Sequence, residues 1–263
     1  MKPLSKILAT LDQIAPLALA ESWDNVGLLT GDPAMGIDRL LTCLTLTEGV
    51  LQEAIDRKVN LIVTHHPIPF KPIDRITTKT TTGKILWKAI QHSIAIYSPH
   101  TAWDNAPEGI NRQLAKILRL GNLRCMLASP KPDLAALELG TGIVGDFAKP
   151  TRLTEIWKLL KDSIPEIQAR STEQGDREVS RVGIICGSGA SLLHLGQKNQ
   201  CDAFLTGEAT YHQALEAQAS GLSMLLMGHF ASERFAMKSL AQLLQEHLPD
   251  VQCMPSKSEH SDF

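Results

Sequence analysis

VNLIVTHHP, residues 59–67, decides how this chain folds: an apolar run of strand length stops at two adjacent histidines and a proline. Such a run reads as a strand buried on both faces, and Pro67 ends its ladder because proline has no N–H to donate. Outward from it the same signal recurs. RLLTCLTL at 39–46 and SIAIYS at 93–98 are further apolar runs, separated from the first by segments of helical pattern. The opening segment, 3–20, carries apolar residues at 4, 7, 8, 11 and 14, the spacing of an amphipathic helix that Pro16 closes. Strands alternating with helices predict an α/β fold with a largely parallel sheet.

The pattern returns further on. LGTGIVGDF (139–147) reads as a strand with a glycine turn, LTEIWKLLKDSI (153–164) as a helix, and RVGIICG (181–187), DAFLTG (202–207) and SMLLMG (223–228) as three more strands. Between the two stretches, 121–138 holds Pro and Lys without clear periodicity and reads as a joint. The expectation is two similar α/β domains, 1–125 and 126–263, with the last helix packing back on the first. The duplication is one of layout, without a residue-level repeat. The polar tail SKSEHSDF, 256–263, reads as a fraying end.

Composition narrows the partners. Lys and Arg number 26 against 28 Asp and Glu, and a net charge of -2 supplies no field to hold a polyanion. Aromatic residues make up only 5%, few for a surface that stacks single strands, so nucleic acid is disfavoured. The five cysteines, at 43, 125, 186, 201 and 253, form no CxxC pair and are odd in number, which points to a reducing cytoplasm. The N-terminus lacks the pattern of a signal peptide, and no apolar run is long enough for a membrane span.

Three strand ends carry the chemistry. His65 and His66 point in different directions at the end of one strand, which suits two ions better than one. SIAIYS runs into Pro99-His100-Thr101-Ala102-Trp103-Asp104, where Asp104 can ligate through oxygen or cap a helix, and His100 can ligate or orient a ligand from behind. The supporting role is preferred for His100. After SMLLMG, a helix starting near His229 puts Glu233 on the same face, although an acidic residue in a first turn also suits the helix dipole. Alone, the histidine pair reads equally as a loop, Asp104 also as a turn or cap, and the His229 and Glu233 pair more readily as an ordinary helix start. Together they fall where open parallel sheets bind ligands, beyond the carboxyl ends of the strands. The set His65, His66, Asp104, His229 and Glu233 thus predicts a centre of two divalent ions. Nitrogen and oxygen donors admit zinc, manganese, iron, cobalt or nickel. Two divalent cations against two carboxylates leave a formal surplus of about +2, which activates water and attracts an anionic small molecule.

The chain resembles the Nif-three-like dinuclear-metal proteins, also known as GTP cyclohydrolase 1 type 2 homologues. The resemblance is carried by WDNVGL (23–28), VTHHP (63–67), SPHTAWDNAPEGIN (98–111), ELGTGIVGDF (138–147), GSGASL (187–192), LTGEATYH (205–212) and GHFASE (228–233). It implies the same five ligands, a pair of α/β domains facing each other across the metals in a cleft, and a homohexameric ring. The spacing from 121 to 180 is that of the short form, without an inserted domain. Two positions depart from the family pattern: Thr45 and Glu208 stand where aspartate is usual.

Four further groups are candidates for moving protons or binding substrate: His100, His212, Glu208 and Asp24. His212 reads equally as a solvated helix residue, and Trp23-Asp24-Asn25 as a turn. The GSG at 187–189 reads as a tight βα turn rather than a phosphate cradle, since neither GxxxxGK nor a full GxGxxG is present. No GxSxG elbow supports a serine nucleophile. The expected function is metal-dependent hydrolysis. The competing one is a ring-forming metal-binding or regulatory protein without turnover, because a fold does not fix an activity.

Overall fold

The computed structural model describes residues 1–173 and 175–260. Its strands are β1 (Lys2–Pro3), β2 (Gly27–Thr30), β3 (Gly36–Ile37), β4 (Arg39–Cys43), β5 (Leu61–Thr64), β6 (Ala95–Ser98), β7 (Gly121–Ala128), β8 (Gly140–Arg152), β9 (Arg170–Ser171), β10 (Glu178–Ile184), β11 (Ala203–Thr206), β12 (Ser223–Leu226) and β13 (Gln252–Pro255). The chain divides into two compact units, 1–103 with 236–263, and 104–235.

The first unit holds a sheet in the order β13-β4-β5-β6-β2, parallel from β13 to β6 and closed by antiparallel β2. β5 and β6 are buried along their whole length, as their near-continuous apolar sequences require. The opening helix, Leu4–Ile14, buries Leu4, Ile7, Leu11 and Ile14, one face at helical spacing. Helices Glu48–Asp56 and Thr81–Gln91 each start on a threonine, Thr47 and Thr80, whose side chain accepts from the backbone N–H three residues on. Their apolar faces, Val50, Leu51, Ile85 and Leu86, meet Leu41, Ile62 and Ile96 of the sheet in one core.

In the second unit the sheet runs β7-β8-β10-β11-β12-β9, with the parallel strands β10, β11 and β12 in the middle and antiparallel neighbours outside them. Phe204 and Met224 of the parallel strands pack with Val144, Leu193 and Ala217. Both units are therefore α/β with a parallel run at the heart, four strands in the first and three in the second, the class expected from the sequence.

Two expectations are corrected. The stretch 121–138 is no joint: it contributes β7, paired antiparallel with β8, and the short helix Pro132–Ala136. The unit boundary accordingly falls at Trp103/Asp104 and not at 125/126, and the chain returns to the first unit at Ala236, where β13 pairs with β4. The tail does not fray up to residue 260. Glu53 accepts from Ser256 Oγ and from the backbone of Lys257 and Ser258, while Glu259 accepts from the backbone of Leu44 and Thr45. The end of that tail, 261–263, lies outside the described residues. No described helix is long and apolar enough to cross a membrane.

Candidate metal centre

In the first unit the three parallel strands β4, β5 and β6 end side by side, and each delivers a polar residue at its carboxyl end. The backbone N–H groups of His65 and His66 donate to the carbonyls of Cys43 and Leu44, both at 2.8 Å, so the ladder between β4 and β5 extends through the histidine pair. The sheet, not a loop, sets their position. Their rings diverge, with centroids 5.1 Å apart at 57°. His100 follows β6, and one donor atom from each of His65, His66 and His100 lies within 4.8 Å of the others. Three imidazoles at that spacing fit a divalent ion of the kinds nitrogen ligands hold.

His100 is held in a demanding backbone conformation, φ +32°, in the region that residues with side chains rarely adopt. Asp24 is the counterweight. Its Oδ1 is 2.7 Å from His100 Nδ1, and its Oδ2 accepts from the backbone N–H and the hydroxyl of Thr101. Burial pushes the Asp24 carboxyl up, but the hydrogen bonds and charge of His100 and the bonds from Thr101 outweigh it and hold the group below its ordinary range. With Nδ1 committed to Asp24, Nε2 is the nitrogen His100 has left. His66 is steered in the same way by a hydroxyl: Thr45 Oγ1 lies 2.8 Å from its Nδ1.

The second unit repeats the plan on β10, β11 and β12. Past β10 come Cys186, Gly187 and Ser188; past β11, Glu208; past β12, the helix His229–His247 with His229 as its first residue. Nε2 of His229 is 3.2 Å from Glu233 Oε2, one turn along the helix, and its Nδ1 is 2.9 Å from Glu208 Oε1. Burial pulls the His229 imidazole down, but the two carboxylates together prevail and raise it to about 9. Glu208 is held below the usual carboxylate range by the Ser188 hydroxyl and by His229. Gly187 has φ +59°, and a side chain there would collide with the carboxylate of Glu233. Its N–H donates to Ser232 Oγ. Glycine at 187 is thus required by the turn and by the approach of Glu233, in line with the turn reading of GSG.

Asp104 belongs to this unit and accepts from the thiol of Cys186 at 3.1 Å. Cys186 is buried, and desolvation, then the charges of Asp104 and Glu233, push its thiol well above the ordinary range, so it stays a donor. Behind it, the Cys186 N–H donates to Asn111 Oδ1, and the Gly142 N–H to Asn105 Oδ1. Sequence reasoning passed over Cys186, Asn105, Asn111 and Ser232, and weighed Ser188 only as part of the GSG turn. The two asparagines stand among charged and turn residues, DNAPEGINR at 104–112, and only their burial in the fold marks them, since a buried amide must have partners. His212 stands exposed on the first turn of helix Tyr211–Ala219, its ring against Tyr211, with no hydrogen bond among the described residues to either cluster.

The profile of the family described as Duf34/NIF3 (NGG1p interacting factor 3) matches residues 2–261. A Clostridium perfringens protein named GTP cyclohydrolase 1 type 2 homolog is 33% identical over 261 residues, 99% of this chain and 98% of its own length. NIF3-like protein 1 of Drosophila melanogaster is 33% identical, over 97% of this chain and 86% of its own. Among solved structures, a Bacillus cereus protein related to NIF3 superposes with a TM-score of 0.88 at 23% identity, covering 99% and 98% of the two chains. Reduced HcgD of Methanocaldococcus jannaschii does so with a TM-score of 0.83 at 26% identity, covering 98% of each.

Proposed function

The chain belongs to the Duf34/NIF3 (NGG1p interacting factor 3) family, and from that premise we propose that it is a metal-dependent hydrolase whose His65, His66, Asp104, His229 and Glu233 hold two divalent ions. One observation carries the reading: in both units parallel strands run side by side into imidazole donors, and His66 and His229 are each backed on Nδ1 by an oxygen from the neighbouring strand end, Thr45 Oγ1 and Glu208 Oε1. That is how proteins orient metal-binding imidazoles. Bound ions of this kind supply Lewis acidity and lower the pKa of water toward neutrality. Zinc, manganese, iron, cobalt and nickel all suit the donors.

The chain's own residues divide the remaining work. Asp24 fixes the His100 tautomer with the proton on Nδ1, leaving Nε2 to take or return a proton during attack. Glu208, kept ionised by Ser188 and His229, orients His229 and is less suited to donate. The substrate is a small, anionic molecule with a hydrolysable bond, and ring opening of GTP is the reaction that relatives' names suggest. A homohexameric ring is the proposed assembly, supported by Ile73, Ile76, Trp87 and Ile90, four large apolar side chains left exposed on the first unit. Those exposed side chains also favour a second reading, in which the ring is an interaction platform without turnover. The cytoplasm is the proposed setting, consistent with five free thiols.

Metal analysis joined to a turnover screen tests both. Wild-type protein is expected to hold two ions per chain, and His65→Ala and Glu233→Ala to lose metal with unchanged circular dichroism. Two ions retained in both variants would sink the ligand assignment. A panel of nucleotides, cyclic amides and phosphoesters then separates hydrolase from platform: a loaded protein inert on all of them favours the second reading.

A further inference from the structure

Beside the His65, His66 and His100 group, the first unit holds two large rings in the open. Trp23 is 62% exposed and Phe70 51%, in a chain that buries the indole of Trp103 completely. Their centroids are 6.1 Å apart, and each stands edge-on to His100, at 6.1 and 6.0 Å. His100 in turn lies 5.1 Å from the His65 ring and 5.7 Å from that of His66. The rings are positioned from below by polar bonds. Asn25 Nδ2 donates to the Pro69 carbonyl at 2.7 Å, tying the turn that carries Trp23 to the loop that carries Phe70. Asp24 locks the same turn to His100 and Thr101.

Leaving two such rings in water forgoes the burial that makes aromatic residues the main contributors to cores and interfaces. Here the polar neighbours of Trp23 are committed to holding it where it is, so its exposure is built and not incidental. A fixed, solvent-facing ring next to nitrogen donors is what a stacking surface requires, because a conjugated ring gains by laying its face on another.

We infer that Trp23 and Phe70 form a ledge that stacks a flat conjugated ring of the substrate and presents that ring's polar edge to the imidazole group. The inference rests on the metal-centre reading and narrows it, from any small anion with a hydrolysable bond to one that bears a heteroaromatic or conjugated cyclic amide ring. It also sets the kind of selectivity. Both carboxylate oxygens of Asp24 are spent on the frame and Asn25 Nδ2 gives one of its two N–H groups to it, so the ledge reads flatness more than a donor and acceptor pattern, and purines and pyrimidines are both accepted.

Equilibrium dialysis with GMP, CMP and ribose 5-phosphate tests this, since all three share the phosphate and sugar and only two carry a ring. The full-length, metal-loaded protein is expected to bind both nucleotides at least about tenfold more tightly than ribose 5-phosphate, within the range stacking on one aromatic side chain gives. Trp23→Ala is expected to abolish that preference, Phe70→Ala to weaken it, and Trp23→Phe to keep most of it. Equal binding of the three probes, no binding of any at millimolar concentration, or a preference that survives Trp23→Ala overturns the ledge. So does a change of oligomeric mass in Trp23→Ala, which would assign the ring to a subunit contact. Metal content of the same samples keeps the two readings apart. Ring preference in a protein that retains no ion upholds the ledge against the metal reading, and a loaded protein without ring preference does the reverse.

Discussion

Thr45 and Glu208 occupy equivalent places in the two units, one strand over from a histidine and in contact with its Nδ1, yet one is a neutral hydroxyl and the other a carboxylate. A carboxylate behind an imidazole raises its basicity more than a hydroxyl does, and the loss of such a partner typically costs about 10–100-fold in metal affinity. Glu208→Gln is therefore expected to weaken ion binding by about tenfold or more in chelator competition, and Thr45→Asp to strengthen it; no change in either variant would mean that these oxygens do not act on the ligands. Cys186 gives a companion prediction. Its thiol donates to Asp104 in a buried setting, so Cys186→Ser, which keeps a donor, should bind metal near the wild-type level while Cys186→Ala loses part of it. The five proposed ligands were legible in the sequence because histidine and carboxylate just beyond apolar runs form a local pattern. Cys186 was not, since it becomes meaningful only when the fold sets it against a residue 82 positions away.

At the level of elements, strands such as β5, β6 and β11 were legible because a strand buried on both faces leaves a short apolar block that a turn must interrupt. β7 was not. It pairs on one side only, at the margin of its sheet, and much of it faces solvent, so its sequence GNLRCMLA carries mixed polarity without a strong period. The docked tail escaped notice for a related reason: Ser256, Lys257 and Ser258 look like a polar end until the Glu53 carboxylate that gathers them is seen. Burial pushes that carboxyl up, but the bonds from Ser256, Arg57, Ser258 and Lys257 outweigh it and hold the group below the usual carboxylate range. A carboxylate with a depressed folded pKa contributes stability that is fully present above its unfolded pKa and is lost as pH falls through the folded one. Hydrogen exchange at 252–260, taken relative to the unfolded chain at the same pH, is thus expected to be slow at neutral pH and to quicken below about pH 4. Glu53→Gln should be fast already at pH 7, and a tail equally protected in both proteins at both pH values would remove Glu53 from the account.

For the whole molecule, the consequential feature is that one unit is continuous in sequence, 104–235, and the other is not, being closed by a segment that arrives only after the second is complete. β13 supplies the outer parallel partner of β4, and Val251 and Met254 are buried around it. Ending the chain after Leu248 removes that partner together with the bonds from Ser256–Glu259 to Glu53, Leu44 and Thr45. Each lost ladder bond is worth about 1 kcal/mol and each buried apolar side chain about 1.5–3 kcal/mol, which together rival the margin of stability of an ordinary domain. The edge of β4, the strand that leads to Thr45, would be left unpaired. The expected result is a truncated protein in which peptides from β4, β5 and the helix Glu48–Asp56 exchange rapidly while those from β10, β11 and β12 stay protected. The loss belongs to one unit because every bond removed lies within it. If exchange rose equally across 104–235, or if the truncated and full chains unfolded at one midpoint, the two units would not be separate in stability, and the late-arriving strand would not be what completes the first.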